Sequence, residues 1–172
     1  MATQRKPSKR AQAKERPKVT TCLTFSDRAE EAVRFYVSAF KDSEILGMVR
    51  SEADGPIPRG KLLNATFRLD GTIYTAFDGG PSFAFSQGTS IMVECETQSE
   101  IDRLWETLSK GGEKGPCGWL TDQFGLAWQI IPAALGKMLS DSKSGNSEHV
   151  MVEMLKMGKL EIATLERAYR ER

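Results

Sequence analysis

The order of hydrophobic patterns repeats along this chain, and the repetition restricts its fold more than any other feature of the sequence. Residues 19–78 have the pattern strand, helix, strand, strand, strand, and residues 89–132 have the same order. The two halves differ in residue identity, so what they share is the order of elements. The repetition predicts an α+β protein of two fused βαβββ modules.

The first half carries distinct signals for its strands, its helix and its hairpin. Apolar and polar residues alternate over Val19–Phe25, which is typical of a half-buried strand. Ser26 or Asp27 is expected to cap the helix that follows, and Glu30 lies three residues after Asp27 as in a capping box. Asp70-Gly71 predicts the hairpin turn between the third and fourth strands.

The last strand of the second half follows a turn that starts at Asp122 and has glycine at its fourth position, and Pro132 ends it. In a strand, Trp128 and Gln129 point to opposite faces, and the neighbours on both faces are apolar. Buried polar groups need partners. We therefore expect Gln129 either to be satisfied by other side chains or to face a wet cavity.

Basic residues are concentrated at the start of the chain. Residues 1–18 contain seven Lys or Arg and one acid, which leaves 17 basic and 22 acidic residues over 19–172. A mildly acidic body argues against a nucleic-acid groove. Residues 1–18 are interpreted as a disordered basic arm, with a nucleic-acid or targeting role as the alternative.

The sequence predicts a cytoplasmic protein that does not enter a membrane. No apolar run approaches the length that spans a bilayer, and the arm lacks the apolar region of a secretory signal. Cys22, Cys95 and Cys117 are odd in number and widely spaced, so neither a disulfide framework nor a cysteine metal cluster is expected. Reduced thiols fit the cytoplasm.

Beyond Pro132 the pattern changes, and residues 133–172 are predicted to form a C-terminal helical extension. Val150, Met154 and Leu165 belong to an apolar stripe that is larger than a covering helix on a small domain requires. An excess of this kind favours a homodimer with the same surface on both copies.

Four segments carry a resemblance that is specific as a set: Ala29–Tyr36, Cys95–Glu100, Cys117–Gln129 and Met154–Tyr169. They resemble the PhnB-like, 3-demethylubiquinone-9 3-methyltransferase-like branch of the vicinal oxygen chelate superfamily, which has the glyoxalase, bleomycin resistance and dioxygenase fold. The resemblance implies a glyoxalase-like domain over 19–132, in which the modules form a curved mixed sheet around a cavity. The chain lacks a glycine-rich loop for a methionine-derived cofactor, so no cofactor is expected.

The resemblance also implies where metal ligands would lie. The superfamily's two histidine positions fall at Thr20 and Ser90, and its carboxylate position falls at Gln129. Two hydroxyls and an amide do not replace the His and carboxylate ligands of a transition metal, so no metal site is predicted. Asp78 and Glu94 are the nearby carboxylates, and at best they would support a hard cation.

The side chains expected to line the cavity form a mixed polar and apolar surface. They are Thr20, Cys22, Asn64, Thr66, Arg68, Phe77, Ser90, Met92, Glu94, Trp119 and Gln129. A pair between Arg68 and Glu94 is expected inside the cavity. Such a lining suits a small organic ligand held by hydrogen bonds, and the alternative is a filled core in which these side chains bond one another.

Two other functions stay open at the level of the sequence. One is a metal-dependent lyase, isomerase or dioxygenase of the glyoxalase type, which the missing ligands count against. The other is a non-catalytic interaction module that uses the C-terminal extension. The residue pattern does not decide whether ligand binding is accompanied by catalysis.

Overall fold

The structure is a computed structural model that describes residues 17–141 and 146–170 of the 172-residue chain. Most of the predicted basic arm, residues 1–16, lies outside the described residues. Pro17 and Lys18 are described, and both are exposed.

The first module has the predicted strand-helix-strand-strand-strand order. Its elements are β1 (Thr21–Phe25), α1 (Ala29–Ala39), β2 (Glu44–Arg50), β3 (Leu62–Leu69) and β4 (Thr72–Asp78). The strands form a sheet in the order β1-β4-β3-β2, with β1 parallel to β4 and the other neighbours antiparallel. Asp70 and Gly71 both have positive φ, 42° and 83°, as a two-residue hairpin turn requires.

The second module repeats this topology. Its elements are β5 (Ser90–Cys95), α2 (Gln98–Ser109), β6 (Glu113–Lys114), β7 (Trp119–Thr121) and β8 (Ala127–Pro132). The sheet order is β5-β8-β7-β6, and β5 is parallel to β8. The α+β fold of two fused βαβββ modules is confirmed, and within the described chain the strands divide into two four-stranded sheets.

A C-terminal helical extension is present, as predicted. Its helices are α3 (Leu135–Ser140), α4 (Ser147–Leu155) and α5 (Ile162–Arg170). The extension attaches to the second module where the backbone N–H groups of Cys117 and Gly118 donate to carbonyls of Met157 and Gly158, both at 2.7 Å. No helix within residues 17–141 or 146–170 is long and apolar enough to cross a membrane.

A shared hydrophobic core joins the two modules on the helix side of each sheet. Phe67 of the first sheet and Trp128 and Ile130 of the second are all inaccessible to solvent. Full burial of one large apolar side chain stabilises a fold by about 1.5–3 kcal/mol. Because alternate residues of a strand face opposite sides, burial of this side leaves the other face of each sheet open.

The start of α1 differs from the prediction. The residue before the helix is Arg28, which has a left-handed conformation with φ 64°. Its side chain does not cap the helix. The backbone N–H of Ala29 instead donates to the Asp78 carboxylate at 2.7 Å. This acceptor is near because β1 and β4 are parallel neighbours that pair Phe25 with Asp78.

Candidate functional site

The first open face carries the cavity residues that were predicted from the first half of the sequence. These are Thr20, Cys22, Asn64, Thr66, Arg68 and Phe77, and each is at least partly exposed. Thr75, which the sequence analysis did not single out, pairs with both Cys22 and Thr66 in neighbouring strands. Its alternation with Phe77 in β4 was the signal that could have identified it.

The second open face carries the remaining predicted residues: Ser90, Met92, Glu94, Trp119 and Gln129. The Nε2 atom of Gln129 donates to Ser90 Oγ at 2.8 Å. The Oε1 atom of Gln129 accepts no hydrogen bond from any described residue and so keeps an acceptor for a ligand. Gln129 is therefore partly satisfied and still half-exposed on this face.

Beside Trp119 lies a pocket of about 310 Å³. Gln87 from the connector and Thr121 from β7 also line it, and neither residue was predicted. Thr121 follows Trp119 by two positions in the same strand, so alternation could have indicated it. The pocket combines the aromatic wall of Trp119 with uncharged groups and with one acidic and one basic residue, Glu113 and Lys114.

The connector between the modules contacts the first open face. A Cβ atom on Gly79 would lie 2.5 Å from Thr24 Cγ2 and 2.6 Å from Phe83 Cδ2, so only glycine fits between them. The Phe83 ring therefore packs next to Thr24, and Phe83 is 46% exposed. Phe83 is an aromatic side chain beside Thr24 that was not predicted from the sequence.

The predicted pair between Arg68 and Glu94 is wrong. Arg68 Nη1 lies 3.0 Å from Glu44 Oε1, because β2 and β3 pair these two residues directly. Glu94 belongs to the other sheet and is exposed. The charge of Arg68 on the first face is thus neutralised by its own sheet.

The donor atoms at the positions that the superfamily uses for metal ligands do not fit a transition metal. Thr20 and Ser90 offer hydroxyls, Gln129 offers an amide, and the amide nitrogen is already bonded to Ser90. Within the described part of the chain, no three His, Cys, Asp or Glu side chains converge as metal ligands would. Asp78 Oδ1 accepts the hydrogen bond from Ala29. A transition metal requires three or four strong ligands.

A buried carboxylate holds the two modules together. Asp122 accepts hydrogen bonds from the Tyr36 hydroxyl at 2.7 Å and from Trp128 Nε1 at 2.8 Å. It also accepts the backbone N–H groups of Phe124 at 2.8 Å and Leu126 at 3.1 Å. Burial raises the pKa of Asp122, and these hydrogen bonds oppose that effect. Since Tyr36 is on α1 and Trp128 is on β8, the carboxylate links the first helix to the second sheet.

Burial also raises the pKa of Tyr36 far above its ordinary value, with the neighbouring Asp122 charge adding to the effect. The phenol is therefore a hydrogen-bond donor in the folded protein. From the sequence, Asp122 was interpreted only as the first residue of a turn, and the Tyr36 hydroxyl was given no role. Buried polar atoms need hydrogen-bond partners, so the Tyr36 hydroxyl and the Asp122 carboxylate could have been expected to bond each other.

Comparisons with known proteins agree with this architecture. Residues 17–131 match the family model described as 3-demethylubiquinone-9 3-methyltransferase. A solved structure of a putative 3-demethylubiquinone-9 3-methyltransferase, PhnB protein, from Bacillus cereus is 36% identical and has a TM-score of 0.63. That match covers 68% of this chain and 100% of the other. A comparison with curated proteins gives no match.

More distant structures show the fold alone. A protein from Pseudomonas aeruginosa is 23% identical, with a TM-score of 0.56, over 68% of this chain and 98% of its own. The fosfomycin resistance protein FosX from Mesorhizobium loti is 15% identical, with a TM-score of 0.51, over 71% of this chain and 95% of its own. The family model and the Bacillus cereus structure together show that this chain belongs to the 3-demethylubiquinone-9 3-methyltransferase family, the PhnB-like family that its sequence resembles.

Proposed function

We propose that this protein binds a small, neutral organic molecule through hydrogen bonds on the open faces of its sheets, without a transition metal at Thr20, Ser90 and Gln129. The observation that carries the proposal is the bond from Gln129 to Ser90, which leaves the Gln129 carbonyl oxygen available on an open face. An amide and a hydroxyl orient ligand hydroxyls and carbonyls.

Apart from the exposed Glu94, the side chains named on these faces carry no unpaired charge, which supports a neutral ligand. The hydroxyls of Thr66 and Thr75 and the amide of Asn64 carry no charge, and Glu44 neutralises Arg68. Trp119 supplies an apolar wall beside the pocket of about 310 Å³. Sites of this size that combine an aromatic wall with a few polar groups are typical of small-molecule binding. These groups support binding, and they point to no particular reaction.

Native mass spectrometry of the full chain, purified without chelators, tests the proposal together with elemental analysis. We expect a noncovalent organic adduct, or one restored by a neutral hydroxylated or carbonyl compound, and no stoichiometric transition metal. About one Zn, Mn, Fe or Ni per chain would contradict the metal-free site. A chain that retains no adduct and binds no member of a neutral compound library would contradict the ligand site.

We further propose that two copies assemble into a homodimer. Strands β1 and β5 each have an outer edge that no described strand pairs with, and the candidate ligand residues are divided between the two sheets. On α4, Met151, Val152 and Leu155 are 40%, 50% and 62% exposed. Exposed apolar side chains and open strand edges both favour contact with another chain.

A cytoplasmic location is also part of this proposal, and it is supported by the thiols. Cys22, Cys95 and Cys117 are all free. Burial raises the pKa of Cys95 to about 12, which keeps that thiol protonated and unreactive at neutral pH. Free thiols are common in a reducing compartment. Nucleic acid and membranes are not among the proposed partners.

A further inference from the structure

A second cleft, of about 450 Å³, is lined by residues of both modules and lies at the edge strand β5. The end of α1, the hairpin between β3 and β4, and strand β5 all contribute to it. Phe40, Asp70, Tyr74, Glu94 and Glu96 are among its lining residues. Met92 and Glu94 of β5, which were predicted to line the ligand cavity, also line this cleft, whereas Ser90, Trp119 and Gln129 do not.

Two aromatic stacks reach this cleft, and the outer ring of each belongs to the first module. Phe40 stacks on Trp128 with ring centroids 5.5 Å apart and planes inclined by 22°. Tyr74 stacks on Phe67 with centroids 5.5 Å apart and planes inclined by 23°. Trp128 and Phe67 are fully buried, whereas Phe40 and Tyr74 are half-exposed. Each outer ring is thus held in place by a buried ring behind it.

The charges around the cleft are of one sign. Asp70, Glu94 and Glu96 are exposed, and none of them forms an ion pair with a described Lys or Arg. The residues that line the cleft include no Lys or Arg. Arg103 lies near the end of α1, where its Nη1 atom donates to the Ala39 carbonyl at 2.6 Å, and it is not among the residues that line the cleft. A cation in the cleft would therefore meet uncompensated carboxylates.

We propose that this cleft is a binding site for an organic cation with a substituted ammonium group. Aromatic rings attract a cation through their negative faces, and the surrounding carboxylates attract the same charge. A neutral molecule of equal size would gain only the contact with the rings, and an anion would be repelled. Ser90 and Gln129 do not line the cleft, so this site does not depend on the proposed neutral-ligand site.

Choline and 3,3-dimethylbutan-1-ol, its uncharged analogue of the same shape, test the proposal when each is titrated into the full chain at low ionic strength. Amide chemical shifts of isotope-labelled protein report where each compound binds. We expect saturable shifts for choline around Tyr74 and Glu94, and a dissociation constant about tenfold lower than that of the analogue. Higher salt should weaken choline binding.

Variants test whether choline binding depends on the carboxylates of the cleft or on surface charge in general. The double change Glu94→Gln and Glu96→Gln affects exposed residues only and should weaken choline binding by about threefold or more. Glu52→Gln with Glu148→Gln, two exposed acids elsewhere, should leave it unchanged. Phe40→Leu should also weaken binding, and its melting temperature shows whether the variant is folded. Absence of saturable binding, equal binding of the neutral analogue, or equal loss in both double variants would overturn the proposal.

Discussion

Gln129 occupies the position at which the superfamily resemblance places a carboxylate, and its bond to Ser90 explains what an amide does there. The amide donates one N–H to a neighbouring strand and presents its oxygen on the open face. A carboxylate at this position could not donate to Ser90. Gln129 therefore offers hydrogen bonds at a position where the resemblance implies a metal ligand.

Gln129→Ala is expected to weaken binding of the proposed ligand by about 1–3 kcal/mol, the value of one or two hydrogen bonds, and to leave the fold intact. The measurement is a ligand titration by calorimetry, with urea denaturation of the same variant. Gln123→Ala is the matched control, because Gln123 is also half-exposed and also makes one side-chain bond, with Arg28 at 3.2 Å. If Gln129→Ala lowers stability and leaves affinity unchanged, Gln129 has only a structural role.

Asp122 is the residue whose loss should damage the fold most. Asp122→Ala leaves Tyr36 and the Trp128 indole without their acceptor in a buried region, at an expected cost of about 3–5 kcal/mol. Tyr36→Phe, which removes one donor and little volume, should cost about 1 kcal/mol. Urea denaturation measures both, with the exposed Asp27→Ala as control. Similar stabilities for Asp122→Ala and Asp27→Ala would show that the network contributes nothing.

Among the elements, the two helices begin in different ways although the modules share one topology. In α2 the Thr97 side chain accepts the Glu100 N–H at 3.3 Å, which is an ordinary local cap. In α1 the acceptor is Asp78, at the end of a strand 49 positions away. The first helix therefore depends on the correct pairing of β1 with β4, whereas the second can be capped before its sheet forms.

Asp78→Ala should destabilise the protein by about 1 kcal/mol, the usual value of a helix cap. Asp27→Ala, which removes the residue that the sequence predicted as the cap, should change stability by less than about 0.5 kcal/mol. Urea denaturation curves of both variants at the same pH distinguish the two assignments. If Asp27→Ala lowers the free energy of unfolding more than Asp78→Ala does, Asp27 and not Asp78 caps α1.

At the scale of the whole molecule, the extension uses part of its apolar stripe within the chain and leaves part exposed. Val150 and Leu165, which the sequence assigned to a dimer contact, are buried in the second hydrophobic cluster with 0% and 1% exposure. Their burial leaves Met151, Val152 and Leu155 as the apolar surface that α4 offers to another copy. The groove beside them, lined by Leu139, has a volume of about 390 Å³.

Light scattering of the full chain at micromolar concentration is expected to give the mass of two chains. Val152→Lys with Leu155→Lys should shift the mass toward that of one chain if α4 forms the contact, because two buried charges would oppose it. Val19→Lys is the control, since Val19 is an exposed apolar residue elsewhere, at 86%. The mass of a single chain for the unmodified protein would contradict the homodimer.

Local periodicity determined most of the fold from the sequence alone. Alternation of apolar residues in strands such as β1 and the turn signals at Asp70-Gly71 and Asp122 depend only on residues close in the chain, and the structure contains each of these elements. Because the same order occurs twice, the two-module architecture followed from these local patterns. The alternation also separated the open faces from the core faces of the sheets.

Only the tertiary structure decided the partners of the polar side chains. Arg68 pairs with Glu44, Asp78 caps α1 and Asp122 binds Tyr36, and the last two of these contacts span 49 and 86 positions. A hydrogen bond depends on distances of about 3 Å, whereas periodicity gives only the face on which a side chain lies. Which strands become neighbours is set by the packing of the whole chain, and that packing brings the bonding atoms together.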